Sequence, residues 1–183
     1  MPTQALEWVL TNVDGHLTEA EARVLYRLTG GTVVEVGSFH GRSTCVLGLG
    51  ALAHGGHVYA IDAHLGYTDR GVSFGPADSG VKLRNIVAAQ VADVVRIIHL
   101  TSAQAVKAWE SPVDLLFIDA DHSEQACRYD FNHWSRYVIQ GGYVAFHDAS
   151  RESVAAVIRE ARVAGWVEIG VTDNLTVLRK PYA

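Results

Sequence analysis

Apolar positions along this chain follow two rhythms, and the alternation between them outlines the elements. Residues 4–12 and 17–28 carry apolar side chains at helical spacing, whereas 32–36, 57–61, 94–100, 113–118 and 143–146 are apolar runs of strand length. Helical patterns recur between the runs, at 43–53, 81–91, 104–110, 123–139 and 152–163. Strands alternating with helices predict a parallel sheet covered on both faces. The run 113–118, Val-Asp-Leu-Leu-Phe-Ile, has the nearly unbroken apolar character of a central parallel strand. Thr18 followed by Glu21 reads as a capping box, Ser123 as an N-cap, and Gly30-Gly31, Gly55-Gly56 and Gly141-Gly142 as helix stops. The chain closes differently. Segments 166–170 and 175–179 are strand-like but joined by only four residues, too few for a right-handed crossover, so they predict an antiparallel hairpin. The expected fold class is α/β: a doubly wound, mostly parallel, seven-stranded Rossmann-like sheet closed by an antiparallel C-terminal hairpin, with N-terminal helices. Residues 1–183 read as one domain, with 1–30 a helical cap and 31–183 the sheet and its helices. Residues 65–80 read as a long loop on the ligand side, offering Tyr67, Arg70 and Phe74.

Composition narrows the class more than the activity. The 183 residues are 49% hydrophobic and 19% charged, which fits a folded α/β domain with a substantial core. A net charge of −5 without a basic cluster argues against a nucleic-acid partner. No apolar run reaches membrane-span length, and the first ten residues lack a basic n-region, so a cytoplasmic protein with no membrane attachment is expected. Cys45 and Cys127 stand outside any C-x-x-C spacing, which argues against a disulfide framework or structural zinc. The pattern leaves a homo-oligomer open.

The chemistry gathers at the ends of the apolar runs. Thr32-Val33-Val34-Glu35-Val36 turns through Gly37 and Gly41 into a helix opening near Ser43 or Thr44, both good N-cap residues. Strand, glycine turn and helix start together make a nucleotide-cradling corner. Here the spacing is G-x-x-x-G rather than the dinucleotide G-x-G-x-x-G, with Glu35 two residues before the first glycine. A carboxylate at that place calls for an amino or sulfonium group, or for ribose hydroxyls, rather than a pyrophosphate. Asp62 closes the second run and is placed to accept from ribose hydroxyls, a turn cap being the competing account. Asp119-Ala120-Asp121-His122 ends the fourth run and His147-Asp148 the fifth. Neighbouring strand ends that carry carboxylates invite a divalent cation. Asp119, His147 and Asp148 form such a set, in which oxygen ligation favours Mg²⁺ and an imidazole favours Mn²⁺ or another transition metal. Two ordinary strand-end caps remain the plainer alternative.

The loop Glu35-Val36-Gly37-Ser38-Phe39-His40-Gly41-Arg42-Ser43 resembles the cofactor loop of catechol-type and caffeoyl-CoA-type O-methyltransferases, which holds S-adenosylmethionine. The run Phe117-Ile118-Asp119-Ala120-Asp121-His122 resembles the catalytic strand end of their metal-dependent members. Asp119 matches the first metal aspartate, His122 stands where they carry a lysine base, and His147-Asp148 replace an Asp-Asn pair. With the D-H-S-E helix start and the F-H-D strand end, these departures resemble the branch acting on sugars and antibiotic precursors. The resemblance runs from residue 17 to 179 and implies a class I S-adenosylmethionine-dependent methyltransferase. It further implies cofactor contacts at Glu35, Gly37, Ser38, Gly41, Ser43, Thr44, Asp62, Ala63, Ser102, Ala103 and Asp119, the last two strand-end groups lying beside the adenine and the metal. A divalent cation (Mg²⁺ or Mn²⁺) at Asp119, His147 and Asp148 would assist in-line methyl transfer to a small-molecule hydroxyl, with His122 as base and His147 second. Two alternatives stay open. A nicotinamide- or nucleotide-binding Rossmann enzyme is opposed by the glycine spacing and the closing hairpin. A non-catalytic S-adenosylmethionine-binding module is kept in view by the replaced lysine and asparagine.

Overall fold

Strand alternation sorts the interior into two cores, one on each face of a sheet. In the computed structural model, which describes residues 2–69 and 72–182, seven strands form the main sheet in the order β5-β2-β1-β6-β7-β9-β8. These are β1 (Gly31–Val36), β2 (Gly56–Ile61), β5 (Val95–Ile98), β6 (Val113–Ile118), β7 (Val138–Phe146), β8 (Val167–Thr172) and β9 (Leu175–Arg179). β5, β2, β1, β6 and β7 are parallel, and β9 runs antiparallel to both β7 and β8. On one face Val33, Phe117 and Ala145 pack with α1 (Pro2–Asn12), α2 (Glu19–Leu28), α3 (Arg42–His54) and α4 (Pro76–Ala88). On the other, Val34, Val36, Ile118 and Phe146 meet α5 (Ser102–Ala105), α6 (Glu124–Trp134) and α7 (Glu152–Val163). Successive residues of one strand thus serve opposite cores, as a period of two requires.

The doubly wound sheet, its hairpin closure and the N-terminal helices match the fold expected from the sequence. Three local expectations are corrected. Residues 65–80 are not a plain loop: they contain a hairpin of β3 (Tyr67–Asp69) and β4 (Val72–Phe74), and α4 begins at Pro76. Proline at the first helical turn lacks only an N–H that would have no partner there, and the Gly75 N–H donates to the Asp78 carboxylate at 2.6 Å. Arg70 and the side chains of Tyr67 and Phe74 lie outside the described residues. The helix expected from 104 to 110 instead starts at Ser102 as α5 and ends in a 3₁₀ turn, Val106–Ala108. α6 ends at Trp134 rather than at residue 139, and Val138 and Ile139 already belong to β7. Gly141-Gly142 therefore marks an irregularity in β7, where the register with β6 shifts between Val113 and Leu115, instead of a helix stop.

The N-terminal helices are tied down at both ends of their linker. Arg42, the first residue of α3, donates to the carbonyls of Val13 at 2.7 Å, Leu17 at 3.1 Å and Leu10 at 3.2 Å. One fixed guanidinium thereby holds the last turn of α1 and the following loop against the start of α3.

Candidate active site

Parallel strands deliver their C-terminal ends to one rim, and the ladder holds to the last residue there. Gly37 N–H donates to Ile61 O at 2.9 Å, Asp119 N–H to Val36 O at 2.8 Å and His147 N–H to Ile118 O at 3.1 Å. At this rim lies a cavity of about 390 Å³, lined among others by His16, Glu21, Gly37, Ser38, Arg42, Ser43, Asp119, His122, His147, Asp148, Arg151 and Asn174. A smaller hollow of about 90 Å³, lined by Asp62, His64, Ala120 and Asp121, adjoins it through Gly37, Ser38, Phe39 and Asp119. The structure thus brings Asp62 and Asp119 to one hollow and Asp119 and Asp148 to the next.

The glycine loop is shaped by close approach. Gly37 has φ +88°, and a Cβ there would collide with the Asp119 carbonyl. Gly41, at φ +85°, is the residue that opens α3, so Ser43 and Thr44 are not its caps. They lie inside the helix and donate their hydroxyls to Glu35, Ser43 Oγ to Oε1 and Thr44 Oγ1 to Oε2, each at 2.5 Å. Glu35 is fully buried and lines neither cavity. Its expected contact with a charged ligand is therefore corrected: on β1 it shares the face of Val33, which turns it under α3 instead of onto the rim. Burial pushes its carboxyl up to about 7 against those two hydrogen bonds and the charge of Lys82.

Asp62 receives the Ser38 N–H at 2.9 Å, the Phe39 N–H at 3.0 Å and the His64 N–H at 2.9 Å, so it also fastens the loop. Burial would raise this carboxyl, but the loop donors, His64 and Lys82 hold it below the ordinary value. Ser102 and Ala103 do not line either hollow. Ser102 Oγ instead donates to Asp130 at 2.5 Å and accepts from Trp134 Nε1 at 2.8 Å, which commits it to joining α5 and α6. Thr44 and Gly41 likewise act from behind the cavity wall, and Ala63 follows Asp62 without lining it.

The second cluster is ionic. His122 Nε2 stands 2.7 Å from Asp148 Oδ2 and 3.5 Å from Asp119 Oδ1. Burial works against charging this imidazole, yet the two carboxylates raise it to about 9. His147 is buried with Nδ1 3.2 Å from Asp119 Oδ1 and Nε2 3.5 Å from Glu21 Oε2. Burial again opposes the charge, and Asp119 and Glu21 raise it to about 10. Asp119 sits below its ordinary value despite burial, through His147 and His122. Asp148, at φ +52°, is lowered in the same way by His122, His147 and Arg151, and Asn174 Nδ2 donates to it at 2.9 Å.

Asp119, His122 and Asp148 present ligand atoms all within 4.8 Å of one another. Of the expected metal set, His147 Nδ1 lies 3.2 Å from Asp119 Oδ1 and 3.8 Å from Asp148 Oδ2, so His122 adds a second imidazole beside the same two aspartates. The two expected bases, His122 and His147, both line the cavity, each with a ring nitrogen within 3.5 Å of Asp119 Oδ1. Sequence reading passed over Glu21, Arg42, Lys82 and Asn174. The sequence marks Glu21 only as a helix cap, and no spacing rule links position 21 to 147.

The fold and rim are those of a class I methyltransferase. A model of the family described as "Methyltransferase domain" matches residues 34–149, and the chain belongs to that family. Solved structures share the fold at low identity. An O-methyltransferase from Bacillus cereus in complex with S-adenosylhomocysteine is 19% identical, with a TM-score of 0.69 over 97% of this chain and 91% of that one. A methyltransferase from Podospora anserina, also bound to S-adenosylhomocysteine, is 12% identical, with a TM-score of 0.73 over 99% and 88%. A calicheamicin methyltransferase is 14% identical, with a TM-score of 0.69 over 97% and 91%. A stretch of 36 residues is 50% identical to an uncharacterized protein of Acanthamoeba polyphaga mimivirus, which amounts to 20% of this chain and 16% of that protein. Among the described residues, no helix is long and apolar enough to cross a membrane.

Proposed function

We propose that the protein transfers a methyl group from S-adenosylmethionine to a hydroxyl of a small molecule, assisted by a divalent cation. One observation carries this reading: the glycine loop and the Asp119–His122–Asp148 cluster border the same cavity of about 390 Å³, so donor and acceptor have adjoining places. S-Adenosylhomocysteine in two of the structural neighbours supports the donor. The residues fit it. Asp62 remains an ionised acceptor for ribose hydroxyls at the smaller hollow, which Gly37 and Ser38 of the glycine loop also line.

The donor set of the cluster, two carboxylates and an imidazole, fits Mn²⁺ or a similar transition metal better than Mg²⁺. Bound there, such an ion would lower the pKa of an acceptor hydroxyl. Asp119 and Asp148 would hold the ion, and the imidazole of His122, with that of His147 second, would take the acceptor's proton. His147 holds Asp119 from behind, with Nδ1 3.2 Å away, and Glu21 holds His147. Placing the two reactants side by side contributes through proximity, which reaches ~7–11 kcal/mol in well-oriented cases.

Calorimetric titration with S-adenosylhomocysteine and with NAD tests the donor. Transfer of labelled methyl to a panel of sugars and phenols, with Mn²⁺ or a chelator, tests the rest. We expect S-adenosylhomocysteine to bind, transfer to fall at least ~10²-fold with chelator, and Asp119→Asn to abolish the Mn²⁺ response. Binding of NAD alone would overturn the donor, and full transfer in chelator would overturn the cation.

A further inference from the structure

α4 carries a polar stripe that no part of the reaction accounts for. Asp78, Lys82 and Asn85 follow one another at helical spacing, and each grips the glycine loop. His40 Nε2 lies 2.9 Å from Asp78 Oδ1, Lys82 Nζ donates to Ser38 Oγ at 2.8 Å, and Asn85 Nδ2 donates to the His40 carbonyl at 2.8 Å. The Lys82 stem also packs under the loop, with its Cγ 3.0 Å from where a Cβ on Gly41 would stand. Lys82 is the unusual member. Its side chain is fully buried, a condition lysine reaches only when paired. The charges it faces are Asp62 and Glu35. It lines neither cavity, so it acts on a ligand only through these groups.

We propose that Lys82 is a positioning residue for the methyl donor, holding Ser38 and neutralising Asp62 and Glu35 so that the loop is fixed before the donor arrives. The loop of residues 37–41, with two positive-φ glycines and Phe39 at φ +41°, is fastened from the sheet by Asp62 and within itself by the Gly41 N–H to Ser38 O bond, and the stripe adds a second hold from α4. The burial of Lys82 disfavours its charged form, and Asp62 and Glu35 pull in the opposite direction, so the ammonium and the carboxylates depend on each other. This inference rests on the donor reading given above.

The test uses Lys82→Met, Lys82→Gln and Asn85→Ala in the full chain. S-Adenosylhomocysteine affinity and stoichiometry are measured by calorimetry, and amide hydrogen exchange is mapped by mass spectrometry. We expect Lys82→Met to bind at least tenfold more weakly with unchanged stoichiometry, Lys82→Gln to lie between it and wild type, and Asn85→Ala to weaken binding severalfold. Faster exchange should be confined to residues 37–41. If Lys82→Met does not fold, Asn85→Ala carries the test, since it removes only the grip on the His40 carbonyl. Folded variants that bind within twofold of wild type overturn the inference, as does faster exchange across the whole sheet with reduced stoichiometry. A wild-type protein that binds no S-adenosylhomocysteine overturns the donor reading and this inference with it. Failure in the variants alone leaves the donor reading standing.

Discussion

Glu35 and Asp130 are both carboxylates cut off from water, and their neighbours decide what each one costs. Glu35 has two hydroxyl donors and a nearby ammonium; Asp130 has the Ser102 hydroxyl at 2.5 Å. Burial pushes Asp130 up to about 6, from an ordinary 3.8, with Ser102 pulling the other way. The folded chain therefore holds this proton more tightly than the unfolded chain does. The stability it contributes is fully present below pH 3.8 and is lost as the pH rises through about 6. Asp130→Asn keeps an acceptor for Ser102 and removes that loss. We expect the variant to be more stable at pH 8 by on the order of 2 kcal/mol, and the gain to shrink at pH 5, as read from urea unfolding. The sequence places Asp62 and Asp119 at the rim because each directly follows an apolar run. It misplaces Glu35 and Ser102, because a side chain's partner across 8 or 28 residues leaves no mark in local spacing.

At the scale of elements, capping chemistry is local and was legible. Thr18 accepts from the Glu21 N–H at 3.2 Å while the Glu21 carboxylate takes the Thr18 N–H at 2.8 Å, the reciprocal pair expected from the sequence. Thr18→Ala should cost ~1 kcal/mol in urea unfolding, and Thr18→Ser should stay within ~0.5 kcal/mol of wild type. The α6–β7 boundary was not legible. Val138 and Ile139 extend an apolar pattern that suits helix or strand equally, and pairing of Val138 with Val113 selects the strand. The hairpin β3–β4 was hidden for the same reason: two three-residue strands give too short a pattern to read.

Across the whole molecule, the two ends of the chain meet at Glu21. Its carboxylate, itself out of contact with solvent, accepts the Asn174 N–H of the β8–β9 turn at 2.8 Å and faces the buried His147 Nε2 at 3.5 Å. Thr18 Oγ1 adds a bond to Asp173 at 2.7 Å. α2 is thereby fastened to the closing hairpin and to the strand end that carries His147 and Asp148. Removing one partner of a buried pair leaves the other charge stranded, so Glu21→Ala should cost ~3–5 kcal/mol. The double variant Glu21→Ala with His147→Ala should cost less than the sum of the two single changes, and chemical denaturation of all four proteins measures the difference. Equal costs would show that the pair is not coupled.

Hydrophobic rhythm and turn residues determined the sheet, its winding, the closing hairpin and the rim at which Gly37, Asp62, Asp119 and Asp148 gather, because strand and helix periods are written in neighbouring residues. Only the folded chain decided which of those side chains face the cavity and which face a partner. His122 joins Asp119 and Asp148 while His147 is drawn between Asp119 and Glu21, and Lys82 reaches the glycine loop from a helix 44 residues away from Ser38. Such pairings follow from the crossing of distant elements, whose contacts are set by packing in three dimensions and not by any interval along the sequence.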